Sequence, residues 1–359
     1  MNRICFVLSS HGFGHMARNL PLIQSLALSE NIQLLVICAK PQIDWAKANL
    51  STQQLAKIDF IVETTDVGLI VHENSLEVDV TQLNAACSAY LELLPILSYK
   101  YAKILKKYGI QLVVNDISPL GILASKLAKL PNVLIGNFTW VEMYREWLSE
   151  DIVEAYQEIY RKVAMQISYA LHTPELLQYG DQLLNASLSA RPVCLKVVKQ
   201  IKQQFTQPIV FVSAGMSTNL TFQWQVDTLP YQFITTQQVH ITGKNVLKLS
   251  PESSNTQEYI AASDYVITKA GWGTVAEALL SHKKLALFAR DTVYEDRHTI
   301  QQLVSEQLAV KVTDENFQDI RMLINKMDQL LPIDTQKYYD STNEICEQLL
   351  ALIHSERMK

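Results

Sequence analysis

The chain has 359 residues, enough for two domains of substantial size. With 48% hydrophobic and 19% charged residues it has globular composition, which argues against a disordered tail or a collagen-like repeat. A net charge of -5 argues against a nucleic-acid partner, because neutralising phosphates takes clustered Lys and Arg in excess, and the five scattered cysteines form no CxxC pair, disulfide framework or zinc ribbon.

In chain order, the apolar run Ile4 to Leu8 reads as a first strand and is too short for the apolar region of a signal peptide. No uncharged apolar stretch reaches the roughly 18 residues of a spanning helix, so the expectation is a soluble, cytoplasmic protein. Further strands are expected at Gln33 to Cys38, Gln111 to Asn115, Val133 to Gly136, Ile209 to Ser213, Tyr265 to Thr268 and Lys284 to Phe288. Helical periodicity falls between them at Ala17 to Leu28, Leu91 to Lys107, Pro119 to Leu130 and Glu150 to Ser168. Ser118 before Pro119 supplies a capping hydroxyl and a proline at the first helical position. The strand pattern runs down near Pro174 and restarts near Pro208, so two α/β units joined through residues 180 to 205 are expected. The domains are read as 1–185, 186–335 and a C-terminal helical stretch over 336–359, Gln336 to His354, that packs back toward the first domain. There is no 20- to 50-residue internal repeat.

Glycine is scarce, 11 residues in all, so its placement is informative. Gly12 and Gly14 lie between the first strand and the Ala17 helix, in Ser9-Ser10-His11-Gly12-Phe13-Gly14-His15. Gly271 and Gly273 lie between a late strand and the helix through Glu277, in Lys269-Ala270-Gly271-Trp272-Gly273-Thr274. Both are strand-to-helix turns at the carboxyl edge of a sheet, where open α/β domains bind ligands and a helix N-terminus offers N–H groups to an anion. Alone, each is also compatible with a tight turn. The first lacks the third glycine of a dinucleotide fingerprint and is flanked by histidines, which suits chemistry better than a cofactor grip.

Gly14-His15, the block Ala270 to Glu277 and Glu295-Asp296-Arg297 together resemble GT-B glycosyltransferases of the UDP-glycosyltransferase and lipid-linked N-acetylglucosaminyltransferase type. The nearest likeness is to the glycosyltransferase-like portion of L-arabinokinases and its stand-alone relatives. It is carried by Gly12-Phe13-Gly14-His15, Val113-Val114-Asn115-Asp116, Asn137-Phe138-Thr139-Trp140 and Ile260-Ala261-Ala262-Ser263-Asp264, in that order. The resemblance implies two Rossmann-like domains facing a cleft, with acceptor on the first and nucleotide-sugar donor, most simply UDP-linked, on the second. It implies inverting transfer to a hydroxyl acceptor without a metal, consistent with the lack of an Asp-x-Asp motif, and with no cofactor. Lys269, Gly273 and Asp296 stand where the plant-type donor signature has His, Asn and Gln, so the resemblance leaves the donor sugar open.

By resemblance His15 is the general base, and its place at a helix start suits a neutral imidazole. Asp116 ends a strand on the same rim and would orient the ring and stabilise the imidazolium, as the acid of a triad does. Backbone N–H groups of Gly271, Trp272 and Gly273, with Thr274 and Lys269, would take the diphosphate, and Ser213 and Gly215 would close the cradle. Glu277 has two readings, a ribose ligand by resemblance or the acid of a Thr274-to-Glu277 capping box. Glu295 and Asp296 would meet donor-sugar hydroxyls by resemblance. His11, Gly12, Phe13, Gly14, Asn137, Phe138 and Trp140 are placed on the acceptor side, although aromatics there equally suit a core. The Lys100, Lys103, Lys106 and Lys107 cluster reads first as a solvated helix face, with peripheral contact to a membrane bearing a lipid-linked acceptor as the alternative. A nucleotide-sugar hydrolase or epimerase, and a non-catalytic nucleotide-sugar-binding module, remain alternatives to transfer.

Overall fold

The structure is a computed structural model and describes residues 1–72, 77–214, 220–250, 253, 255–288, 290, 292–313 and 319–356. Two compact units emerge, Met1–Ser189 with Asp340–Lys359, and Ala190–Tyr339.

The first unit alternates strands and helices. In order they are β1 (Asn2–Leu8), α1 (Gly14–Leu28), β2 (Ile32–Cys38), α2 (Lys40–Ala48), α3 (Thr52–Leu55), β3 (Ile58–Val62) and α4 (Val80–Lys107). The run continues with β4 (Leu112–Asp116), α5 (Pro119–Ala128), β5 (Asn132–Gly136), α6 (Trp140–Tyr144), α7 (Glu150–Tyr160), β6 (Met165–Ser168) and β7 (Asp181–Asn185). All seven strands are parallel in the order β3-β2-β1-β4-β5-β6-β7. Parallel strands covered on both faces bury nearly every side chain, hence the apolar runs of β1, β2 and β5 in place of an alternating pattern.

The second unit opens with α8 (Leu195–Gln203), β8 (Ile209–Ser213), β9 (Leu220–Gln225), β10 (Gln232–Thr235), β11 (Val239–Thr242) and β12 (Val246–Lys248). It continues with α9 (Thr256–Ala262), β13 (Tyr265–Lys269), α10 (Trp272–Leu280), β14 (Lys284–Phe288), α11 (Tyr294–Ser305), β15 (Ala309–Lys311) and α12 (Ile320–Met327). Its main sheet is parallel with order β12-β10-β8-β13-β14-β15, and β9 pairs with β11 apart from it. Val212, Phe233, Ile267, Leu323 and Met327 meet in one buried cluster on a face of that sheet.

Both sheets reverse strand order at one place, β1 against β4 and β8 against β13, and the crevice at the carboxyl ends there is where open α/β sheets bind ligands.

The chain then returns to the first unit as α13 (Thr342–Glu356), packed on α1 with Ile345, Leu349 and Ile353 buried. Several elements differ from expectation. The helix expected over Glu150 to Ser168 stops at Tyr160, because Met165–Ser168 pairs in register with Val133–Gly136 as the sixth strand. Four residues are too few for a period, so pairing partners decide the matter. The Leu91 helix begins eleven residues earlier than expected, at Val80, where the Asp79 side chain accepts from the Gln82 N–H at 2.9 Å. The last helix begins at Thr342 rather than Gln336, with Asp340 accepting from the Thr342 N–H at 3.0 Å. The stretch from 180 to 205 contains β7 and α8 rather than a bare connection.

At the basic end of α4, Lys100 pairs with Glu63 at 3.1 Å and Lys103 lies 4.3 Å from the centre of the Tyr99 ring. Among the described residues no helix is long and apolar enough to cross a membrane.

Leu349 is wholly buried on the returning helix. Leu349→Ala should cost about 2–5 kcal/mol, the price of a cavity in a rigid core, read as a lowered urea midpoint. An unchanged midpoint would show that α13 does not contribute to the first core.

Candidate active site

In the first unit, β1 ends at Leu8 opposite Asp116 of β4, and the Ser9 N–H donates to the Asp116 carbonyl at 3.1 Å. Gly12 turns the chain with φ +63°, a conformation costly for residues with a Cβ, and α1 starts at Gly14. His15 therefore faces the end of β4, and its Nδ1 lies 2.9 Å from Asp116 Oδ1. The pair is deeply buried, with His15 5% and Asp116 0% exposed.

One turn along α1 lie two residues that the sequence reading missed. Arg18 grips Asp116 with Nε 2.6 Å from Oδ2 and with Nη2 on Oδ1, while its Nη1 donates to Asn137 Oδ1. The Asn19 amide donates to Asp116 Oδ2 and to the His15 carbonyl, the latter at 2.8 Å. Their signal was in the sequence: positions i+3 and i+4 from His15 share its helix face. Burial alone would raise the Asp116 carboxyl, but the Arg18 guanidinium and then His15 outweigh it and hold it at about 2. The next residue, Ile117, has φ +49°, strained for a β-branched side chain. Its carbonyl accepts from the Tyr160 hydroxyl at 2.6 Å.

An ionised carboxylate can only accept, so at 2.9 Å the Nδ1 of His15 donates to Asp116. In the neutral ring Nε2 is then the nitrogen with the available lone pair, and it makes no hydrogen bond among the described residues.

A second buried carboxylate, Asp66, accepts from the Ser10 N–H and from the Trp140 indole, both at 2.9 Å. Burial pushes its carboxyl up, with those bonds and His15 pulling against the shift. Asp66 follows β3 in a segment without regular structure, so no periodicity marked it.

The block Asn137 to Trp140 joins this cluster residue by residue. Asn137 holds Arg18, Phe138 lies 5.8 Å from His15, Thr139 caps α6 in a box with Glu142, and Trp140 holds Asp66. His11 meets Trp140 edge-on at 5.6 Å, where Gly68 leaves space that a Cβ would take from the imidazole. Phe13 stands against Trp45 of α2 at 6.2 Å, and both are part-exposed.

In the second unit, β8 places Ser213 in register with Thr268 of β13, so the Ser213 end and the Lys269 turn share one rim. Gly215 lies outside the described residues. Gly271 is the N-cap of α10 with φ −63°, and no side chain caps the helix. The capping box that is one reading of Thr274 and Glu277 does not form: the N-cap is Gly271, three residues earlier, which leaves Thr274 inside the first turn. Glu277 is instead paired with Arg191, Nε to Oε1 at 2.7 Å and Nη2 to Oε2 at 3.2 Å, and Arg191 also donates to Thr256 Oγ1 at 2.9 Å. Glycine inside a helix costs about 1 kcal/mol against alanine. A Cβ on Gly273, or on Gly14 of α1, would meet nothing within 4 Å, so packing does not require these glycines.

Trp272 is buried, and Glu295 is part-exposed. Asp296, expected at sugar hydroxyls, is fully buried and takes both arms of Arg290, Nε at 2.9 Å and Nη2 at 2.8 Å. Burial pushes the Lys269 amine down and nearby Arg290 adds to it, lowering it to about 8. Lys269 beside an uncapped helix start makes this rim receptive to an anion, Arg290 being already neutralised by Asp296. Among the described residues no three His, Cys, Asp or Glu side chains gather to hold a metal.

Residues 189–354 match the model of the glycosyltransferase family 28 C-terminal domain. No curated protein matches the sequence. Solved structures match over almost the whole chain. Arabidopsis thaliana UGT89C1 complexed with UDP-L-rhamnose is 12% identical with a TM-score of 0.63, over 98% of this chain and 99% of that one. The glycosyltransferase SnogD from Streptomyces nogalater is 14% identical at 0.58, over 98% and 99%. The glycosyltransferase VinC in complex with dTDP is 11% identical at 0.59, over 98% and 100%. At such identities the likeness is one of fold, and the chain carries the two Rossmann-like α/β units of a GT-B-like fold.

Asp116 is held down in the folded state, so its contribution to stability is present above about pH 4 and is lost as pH falls toward about 2. Asp116→Asn should lower stability by about 3–5 kcal/mol at neutral pH, because Arg18 is left buried without its counter-ion. The gap from wild type should narrow by about 2 kcal/mol between about pH 4 and pH 2. Asp66 and Glu142 are shifted upward, chiefly by burial, so the comparison must be between the two proteins by urea unfolding at each pH. A gap constant across that range would contradict the ion pair.

Proposed function

We propose that the protein is an inverting, metal-independent glycosyltransferase that moves a sugar from a nucleotide donor, UDP-linked, to an acceptor hydroxyl. The observation that carries this reading is the buried His15–Asp116 pair in the first strand-to-helix turn, with Nδ1 committed to the carboxylate. Nε2 takes the acceptor proton as the acceptor oxygen bonds to the anomeric carbon. The bond from that carbon to the diphosphate oxygen breaks on the opposite face, and its electron pair leaves with the nucleoside diphosphate. The start of α10 and Lys269 favour that departing charge. Open space at Gly14 and Gly273 supports close approach of ligand to backbone at both turns. Glu277, held by Arg191, retains lone pairs for ribose hydroxyls. The nucleotide and nucleotide sugar bound by the similar structures support this donor class. His11 and Phe13 would offer aromatic surface to the acceptor, whereas Trp140, expected there too, is wholly buried and backs His11 from the core. Five free cysteines, four of them buried, suit a reducing compartment, and we place the enzyme in the cytoplasm.

The test is nucleotide release from a panel of nucleotide sugars with and without hydroxyl acceptors. A transferase is slow on donor alone, whereas steady release without acceptor would indicate a hydrolase. His15→Ala should lower turnover by about two to four orders of magnitude while donor binding stays near wild type. Turnover within about threefold of wild type would remove His15 from the reaction.

Excess EDTA should leave activity intact, since the helix start and Lys269 supply the positive field at the diphosphate. Loss on chelation with recovery on adding magnesium or manganese would overturn that assignment.

A further inference from the structure

We infer that Arg18 is a positioning residue that turns the His15–Asp116 pair into a neutral, tautomer-locked base rather than an imidazolium-stabilising dyad. The inference rests on the proposed role of His15 and adds a residue to it.

A histidine beside a lone buried carboxylate is drawn toward its protonated form. Here the carboxylate is not alone. Arg18 binds both Asp116 oxygens, and its Nη2 comes within 3.0 Å of the same His15 Nδ1 that lies 2.9 Å from Asp116 Oδ1. A positive and a negative group at nearly equal range oppose each other, so the imidazole faces a dipole rather than a lone carboxylate. Nη2 has only protons to offer and Oδ1 only lone pairs, so a proton on Nδ1 satisfies the carboxylate and the guanidinium protons turn to Oδ1. Asn137 holds the far end of the guanidinium, Tyr169 lies 5.8 Å from its centre, and Asn19 occupies the other carboxylate oxygen. The carboxylate plane is thereby set from both sides. The charged groups that bear on His15 are Arg18 on its own helix, Asp116 from β4 and Asp66 from the segment after β3.

Charge and geometry separate with two substitutions. Arg18→Gln removes the cation, whereas Arg18→Lys keeps it but loses the fork that sets the carboxylate plane. The readout is long-range 1H–15N correlation on full-length protein with 15N-labelled histidine, His15 being identified by the signals lost in His15→Gln. At a pH where the ring is neutral, wild type should show the His15 proton on Nδ1. Arg18→Gln should keep the imidazolium to a pH higher by about one unit or more, the usual effect of a charge at this range. Arg18→Lys should keep the wild-type midpoint but show mixed tautomers, with turnover down by about 100-fold at unchanged donor KM, as for a displaced reacting group.

A wild-type proton on Nε2, or an Arg18→Gln midpoint within about 0.3 unit of wild type, would overturn the inference. Should Arg18→Gln fail to fold by circular dichroism, Arg18→Lys decides, and a wild-type tautomer population there would also overturn it. If the spectra behave as expected but wild type transfers no sugar, the functional reading falls and the assignment of Arg18 stands. If wild type transfers sugar and the spectra do not depend on Arg18, the assignment alone falls.

Discussion

Pairing of β1 with β4 in parallel register is the constraint on which the first site depends, because it sets Leu8 opposite Asp116 and brings the turn after β1 beside the end of β4. Ninety-eight residues separate Arg18 from Asp116 along the chain. Only the reversal of strand order at this point lets a side chain from the first helix reach a carboxylate from the fourth strand. The second unit repeats the device with β8 and β13, where Ser213 lies opposite Thr268 and the glycine turn begins α10. The same topology thus builds two different rims. One is buried and holds a histidine, while the other carries Lys269 and opens on an uncapped helix.

Buried carboxylates in the first unit behave in two ways. Asp116 meets a guanidinium, which holds its carboxyl down at about 2 despite complete burial, so it stays ionised at neutral pH. Asp66 and Glu142 are met by neutral donors, Ser10 and Trp140 for one, Thr139 and Thr173 for the other, and burial dominates both. A neutral hydrogen bond recovers part of the solvation that a carboxylate loses, and an opposite charge recovers more. The division matches the placement: the ionised group lies against His15, and the two raised ones anchor the segments around it.

Glu277 and Asp296 follow one pattern in the second unit. Each carboxylate is taken by an arginine, Arg191 or Arg290, before any ligand arrives. For Asp296, wholly buried, the arginine is the more exposed member of the pair. For Glu277 the arginine instead fixes the orientation of a carboxylate with acceptor capacity remaining.

The alternation of short apolar runs with helical stretches determined the α/β class, because strands covered on both faces must be apolar throughout. The strand-glycine-helix turns, and His15 and Asp116 as rim residues, were equally legible, since a strand end followed by a helix start is a local pattern. What only the tertiary structure decided involves partners distant in sequence. Met165–Ser168 became a strand because β5 offered it an edge. The Thr274–Glu277 box gave way to an ion pair 86 residues away, and Asp296 turned to Arg290. Arg18 shares the His15 face by helical spacing alone, yet its grip on Asp116 and Asn137 depends on β4 and the chain after β5 arriving beside it. Local patterns follow from backbone periodicity, whereas the choice among partners for a buried charge is made when the sheet assembles.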